Sequence, residues 1–295
     1  MIRTTLRCLA AAALLATGAA HAQAIGDGPA ETINWYVNAG FQPYFILSGP
    51  DEGKGSFDQS MKLLMKAMPQ YRHKLVEASL PRMLDSIKTR PNACSVALFK
   101  NKDREAIMDF SAPFMYLLPN GIVTMRKRTA QYRPFMNEHG EVRLEDFLAD
   151  GKAKLALAAE RSYGPIVDAV VKKHPAATMS VSSIDIFASR LLKLINQSEF
   201  DAIIGYAVEL QYNTRDLKLN PQDFVVFPIA ESSKILPLSV SCSKSELGKS
   251  VLAAVDQVVA DKNAQREFDS FYRAWLDEDT AAYYERQLKQ VRGPR

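Results

Sequence analysis

Between Ile33 and Phe99 the chain alternates strand, helix, strand, helix, strand, and this alternation limits its fold more than any other feature. Ile33-Asn34-Trp35-Tyr36-Val37 is β-branched and aromatic, as a strand requires. Ser56–Met68 places Met61, Leu64, Met65 and Met68 at helical intervals and stops at Pro69. Tyr71–Glu77 reads as a second strand, and Leu80–Thr89 as a second helix with Pro81 tolerated in its first turn. Cys94–Phe99 is apolar at its centre, the pattern of a strand buried on both faces. Strands separated by helices predict an α/β fold with a mostly parallel sheet.

A second series follows. Ile122–Met125 is a short strand, and Lys127–Val142 is polar and irregular. From Leu144 a short helix runs through Ala149, then strand Lys154–Ala159, helix Pro165–Lys173 and strand Thr178–Val181. Helix Ile184–Asn196 and strands Ala202–Ile204, Phe224–Phe227 and Leu236–Ser241 continue it, and Ser245–Lys289 is a helical tail. Parallel sheets bind ligands at the carboxyl ends of their strands. Two such lobes joined by short linkers predict a cleft that closes by hinging.

The amino-terminal residues set the compartment. Arg3 and Arg7 precede the apolar run Cys8–Ala16, and Ala20-His21-Ala22 offers small residues for cleavage, with Ala22-Gln23-Ala24 as a second cut. This is the pattern of a secretory signal peptide, so residues 1–22 are expected to be removed and the protein to be exported to the periplasm. Of 37 basic residues, Arg3 and Arg7 lie in that leader, against 33 acids in all. So even a balance is not a nucleic-acid signature. The length of 295 residues favours two lobes over one. Beyond the leader two cysteines remain, Cys94 and Cys242, 148 positions apart. In an oxidising compartment an isolated pair predicts a disulfide, with a buried small hydrophobe and a free thiol as the alternative.

The stretch Asn101–Phe114 (NKDREAIMDFSAPF) carries a resemblance. In exported type II solute-binding proteins of family 3, mainly amino-acid receptors of ABC transporters, the third strand leads into a T-x-x-R turn and then a DFSxPY-like stretch. Ala93–Leu98 resembles that strand, Lys102-Asp103-Arg104-Glu105 the turn, and Met108–Phe114 the closing motif. Phe41-Gln42-Pro43-Tyr44 is similar to the family's aromatic-proline loop, Leu236–Ser245 to its return crossing, and Phe271–Trp275 to its terminal helix end. The resemblance implies lobe 1 over 23–120, lobe 2 over 121–236, and a return crossing with C-terminal helices over 237–295 that completes lobe 1. It also implies that Arg104 holds a ligand carboxylate. Guanidinium chemistry suits that role, because its planar fork makes two parallel hydrogen bonds where lysine offers a point charge. The bland alternative is an exposed arginine balanced by Asp103 and Glu105.

Two departures narrow the expected ligand. Where family members place Ser or Thr before the arginine, this chain has Val96, Ala97, Phe99 and Lys100. Where their second lobe carries an acid for the ligand ammonium, it has Tyr206. A buried ammonium without an acid incurs a desolvation penalty. The expected ligand is therefore a carboxylate-bearing or polar aromatic molecule. Tyr36, Phe41, Tyr44, Phe99 and Tyr163 are candidates for an apolar stacking slot. Ser162 is expected to cap the helix at Pro165, its free N–H groups attracting an anion with help from Arg161.

Enzymatic signatures are sparse. His73, His139 and His174 lack metal spacing, and no G-x-S-x-G, P-loop or G-x-G-x-x-G occurs. The resemblance implies a monomeric binding protein that captures a small ligand and presents it to an ABC-type transporter permease. A sensory binding protein, or an enzyme on the same fold with Glu160 as its first suspect acid, is the alternative. No catalytic residue, cofactor, metal or nucleic-acid partner is expected.

Overall fold

The computed structural model describes residues 31–158, 162–181, 191–194 and 200–293. Two five-stranded mixed sheets form two α/β lobes. In the first sheet the order is β2 (Arg72–Glu77), β1 (Thr32–Val37), β3 (Ala93–Ser95), β10 (Leu236–Ser243) and β4 (Met108–Leu117). In the second it is β7 (Thr178–Val181), β6 (Leu155–Ala158), β8 (Ala202–Gly205), β5 (Gly121–Met125) and β9 (Phe224–Pro228). β1 pairs in parallel with β2 and β3, as the strand–helix alternation requires. β10 returns from the second lobe and inserts antiparallel between β3 and β4. The chain therefore crosses between the sheets twice, at residues 118–120 and 229–235.

The return strand sets Cys242 directly opposite Cys94, and the two form a disulfide with Cα atoms 4.1 Å apart. Both cysteines are buried. Trp35, Leu64, Phe114 and Phe268 share one core on this sheet, while Tyr36, Met83 and Ile87 fill a smaller one on its other face. Each such fully buried side chain contributes about 1.5–3 kcal/mol.

β3 is shorter than the apolar run Cys94–Phe99 suggests, and Ser95 is the reason. Its hydroxyl donates to the Tyr36 carbonyl at 3.1 Å and accepts the Ala97 N–H at 3.2 Å, ending the ladder. Residues 96–100 then leave the sheet toward the other lobe. The charged stretch that follows is not an open turn but a short helix, Lys102–Ile107, capped by the Asn101 side chain on the Arg104 N–H at 2.9 Å.

The motif DFSAPF is explained by strand pairing. β4 is an edge strand, where Pro113 withholds no hydrogen bond from an outer neighbour. The β4–β10 register shifts on either side of Ser239, and the Ser111 hydroxyl accepts the Val240 N–H at 3.0 Å inside that irregularity. A side chain thus replaces a missing ladder partner.

The helical tail divides into Glu246–Ala260, Lys262–Arg273 and Glu278–Arg292, the last capped by Asp277. The helix Ala207–Asp216 has no counterpart among the sequence expectations, because AVELQYNTRD lacks a sustained apolar stripe. Most of the expected helix Ile184–Asn196 lies outside the described residues, of which 191–194 are helical. Among the described residues, no helix is long and apolar enough to cross a membrane.

Candidate functional site

Residues 96–104 leave the first sheet and reach a cleft between the lobes. Arg104 stands there half-buried, its Nη1 donating to the Phe99 carbonyl at 2.7 Å. That bond and the Asn101 cap fix the guanidinium relative to the strand end. Desolvation by burial lowers its pKa, yet a guanidinium so placed stays charged at neutral pH. The neighbouring acids do not neutralise it. Glu105 pairs with Lys100 at 2.9 Å, and among the described residues no carboxylate forms an ion pair with Arg104.

The cleft has two chambers. The inner one, about 430 Å³, is walled by Phe41, Tyr44, Phe57 and Leu238 of the first lobe, and Tyr206 and Glu209 of the second. The outer one, about 630 Å³, is bounded by Lys100, Asn120, Ser232 and Ser233 together with Tyr163 and Ile166. Phe99, Arg104, Ser162 and Tyr206 line both, so they form the waist between them.

The aromatic loop is held rigidly against the first lobe. Asp58 accepts the Ile46 N–H at 2.9 Å and the Gly55 N–H at 3.1 Å, tying the loop to the start of helix Ser56–Ala67. Burial keeps the Asp58 carboxyl above its ordinary pKa despite those two bonds. Gly55 is required here, since a Cβ at that position would lie 2.3 Å from the Tyr44 carbonyl oxygen. Tyr44 stacks on Phe57 at 4.7 Å between ring centres and meets Tyr206 edge-on at 6.1 Å, an aromatic contact from lobe to lobe.

The predicted residues are distributed unequally. Phe41, Tyr44, Phe99, Arg104, Ser162, Tyr163 and Tyr206 all line one chamber or both. Tyr36 does not: it is buried among Met83, Ile87 and Met108 on the far side of the sheet. Alternation explains this, since successive strand residues face opposite sides and only one face of β1 meets the aromatic loop's core. Tyr163 is largely buried, and its hydroxyl accepts the Ala158 N–H at 2.7 Å. Arg161 and Glu160 lie outside the described residues.

The expected cap at Ser162 is corrected. Helix Pro165–Lys173 is entered through Gly164, which has φ 99°. The Ser162 hydroxyl instead donates to Asp168 at 2.5 Å and accepts the Gly164 N–H at 3.2 Å. Asp168 also accepts the Tyr163 N–H at 2.8 Å. Pro165 has no N–H to offer. The chain's own acid, Asp168, thus sits at the start of the helix that was to attract an external anion, bonded to the loop just before it.

Glu209 is the residue that sequence reasoning missed. It lies one turn beyond Tyr206 and accepts the Tyr206 N–H at 2.8 Å, closing the cap of helix Ala207–Asp216. Its signal was the acid three residues after Tyr206, the spacing of a capping box, which Tyr in place of Ser or Thr obscured. An acid therefore does stand in the second lobe's wall of the cleft, although not at Tyr206.

No family model matches the sequence, and no curated protein matches it significantly. Solved structures do match its fold. An amino-acid ABC transporter substrate-binding protein from Streptococcus pneumoniae, solved with L-arginine, aligns over 83% of this chain and 93% of its own, with TM-score 0.55 and 14% identity. A histidine kinase sensor domain similar to periplasmic binding proteins aligns over 83% and 96%, with TM-score 0.56 and 15% identity. An ancestral amino-acid-binding protein, described as a precursor of cyclohexadienyl dehydratase, aligns over 83% and 96%, with TM-score 0.54 and 14% identity. The chain thus has the two-lobe fold of the periplasmic binding proteins, as the Asn101–Phe114 resemblance implies.

Proposed function

We propose that the protein is an exported solute-binding protein that closes its two lobes on a small, carboxylate-bearing ligand. In this reading it delivers the ligand to an ABC-type transporter in the membrane. The observation that carries it is Arg104: a guanidinium fixed by Asn101 and the Phe99 carbonyl, lining both chambers, with no carboxylate in ion-pair contact among the described residues. A fixed, unneutralised guanidinium in a partly desolvated cleft favours an anion with bidentate geometry.

Glu209 shapes the remainder of the ligand. Its carboxylate, which already accepts the Tyr206 N–H, puts negative charge in the inner chamber's wall and so favours a ligand that also carries a positive or hydrogen-bond-donating group. Aromatic walls from both lobes favour an apolar or aromatic body. Delivery to a transporter follows the transport protein of like fold, and the sensor domain of like fold makes a sensory role the second reading.

The test is a thermal-shift screen of the purified protein against aromatic and aliphatic carboxylates, including amino acids, followed by calorimetry on the hits. A ligand at 100 times its dissociation constant stabilises by about 2.7 kcal/mol, which a melting curve resolves. Arg104→Ala should weaken the best carboxylate at least about 30-fold, the loss of a charge-assisted pair of roughly 2–5 kcal/mol. An unchanged affinity in Arg104→Ala refutes the assignment. Conversion of a hit, seen by mass spectrometry, would replace binding with catalysis.

A further inference from the structure

The helix Ala207–Asp216 packs on both lobes, with a different face toward each. Leu210, Thr214 and Leu217 recur at helical spacing. Leu210 and Leu217 join the core of the second lobe that holds Phe200 and Ile203, and Thr214 is fully buried. Val208, Gln211, Tyr212 and Arg215 form a second stripe at the same spacing, and this one meets the first lobe. Val208 shares the first lobe's core with Trp275. The Gln211 side-chain amide donates to the Asp277 carboxylate at 3.2 Å. The Tyr212 ring centre lies 5.9 Å from that of Trp275, and the Arg215 guanidinium sits over the Trp275 ring at 4.9 Å. Trp275 is itself tied to the first lobe, buried and with its indole N–H donating to the Lys54 carbonyl at 3.3 Å.

The two faces differ in what separation would cost. Parting from the second lobe would expose Leu210 and Leu217 to water. Gln211, Tyr212 and Arg215 end in groups that water can serve, and Arg215 is already exposed beyond the ring it covers. Polar seams of this kind join domains that move relative to one another. We infer that the stripe Val208, Gln211, Tyr212 and Arg215 is a releasable latch. The helix stays with the second lobe, and its contact with Trp275 and Asp277 holds the lobes in the arrangement seen here. Release lets them turn about the crossings at 118–120 and 229–235. The same helix follows Tyr206 and carries Glu209, both in the cleft wall, so the latch sets the width of the cleft. This goes beyond the carboxylate reading and holds whichever ligand the cleft takes.

The test needs no ligand. Spin labels at Lys66→Cys in the first lobe and Lys152→Cys in the second, both exposed positions, report the distance between the lobes by pulsed electron resonance. Cys94 and Cys242 are bonded to each other and take no label. Gln211→Ala with Arg215→Ala removes one hydrogen bond and one cation–π contact. The ratio of displaced to latched molecules should then rise about tenfold, seen as a shifted or broadened distance distribution. Arg215→Ala alone should raise it about threefold, and at its exposed position it carries the test should the double variant fail to fold. A distribution identical to the parent's in the folded variants overturns the inference, even where the melting temperature falls. A fixed seam would lose stability in that way without moving the lobes.

Discussion

The two lobes meet the cleft with opposite electrostatics, although both present the carboxyl ends of their strands. In the first lobe the approach ends in a cation, Arg104, held by a cap and a backbone carbonyl and with no acid in ion-pair contact among the described residues. In the second lobe both helix starts that face the cleft carry their own acid. Asp168 serves the Tyr163 N–H, and Glu209 serves the Tyr206 N–H. A helix amino terminus attracts anions through its free N–H groups and its dipole, and an internal carboxylate cancels both. Under the proposed reading, anion binding therefore falls to the first lobe, and the second supplies acids and aromatic faces.

A mechanical difference accompanies the electrostatic one. The first lobe is assembled from the two ends of the described chain, and the Cys94–Cys242 bond joins them across its central strands. The second lobe is a continuous segment between the crossings and has no disulfide among its described residues. Replacing both cysteines by alanine removes a cross-link spanning 148 positions and should cost about 2–5 kcal/mol. Urea unfolding, followed by tryptophan fluorescence, reads this directly because Trp35 and Trp275 both pack in the first lobe's core. An unfolding midpoint equal to that of the parent protein would show that the first lobe needs no tie.

Gly55→Ala attacks the first lobe without touching its sheet. The new Cβ would meet the Tyr44 and Pro43 carbonyl oxygens at 2.3 and 2.7 Å, so the loop must move. A cost of about 1–3 kcal/mol is expected from overpacking. Ligand affinity should fall as well, since the displaced loop carries Phe41 and Tyr44. Unaltered affinity in a destabilised variant would detach those rings from the site.

The smallest effect is expected where the lobes touch behind the cleft. Glu141, buried in the second lobe, accepts from Lys234 at 2.6 Å, Asn137 at 2.8 Å and the Tyr283 hydroxyl of the C-terminal helix at 3.1 Å. Burial pushes its carboxyl up, but these three donors outweigh burial and hold it below the ordinary 4.5. Its contribution to stability is therefore complete above the unfolded value and is lost as pH falls through the lower folded one. Tyr283→Phe removes one donor and should cost about 1 kcal/mol at neutral pH. The acid limb of a melting-temperature profile should move to higher pH. A profile superimposable on that of the parent protein would mean that the contact between the lobes is idle.

Much of this arrangement can be read from residues. Helical spacing located Ser56–Ala67 and Leu80–Thr89, and β-branched runs located β1 and β10, because these elements bury one face each and must repeat at the matching period. Arg104 was legible because a motif surrounds it. Glu209 was not, because nothing in a polar ten-residue helix announces which wall it joins. Tyr36 shows the converse: its type suited the slot, but the face of the strand decided against it.

Sequence alone therefore determined the two α/β series and the arginine that follows the third strand, and it predicted the pairing of Cys94 with Cys242. These follow from period, composition and local motif, which act over neighbouring residues. Tertiary structure decided which carboxylates meet which N–H groups, that Glu209 stands across from Arg104's lobe, and that the cleft has two chambers joined at Arg104. Those facts depend on residues far apart in the chain being brought together by β10's return, and no local pattern encodes that distance.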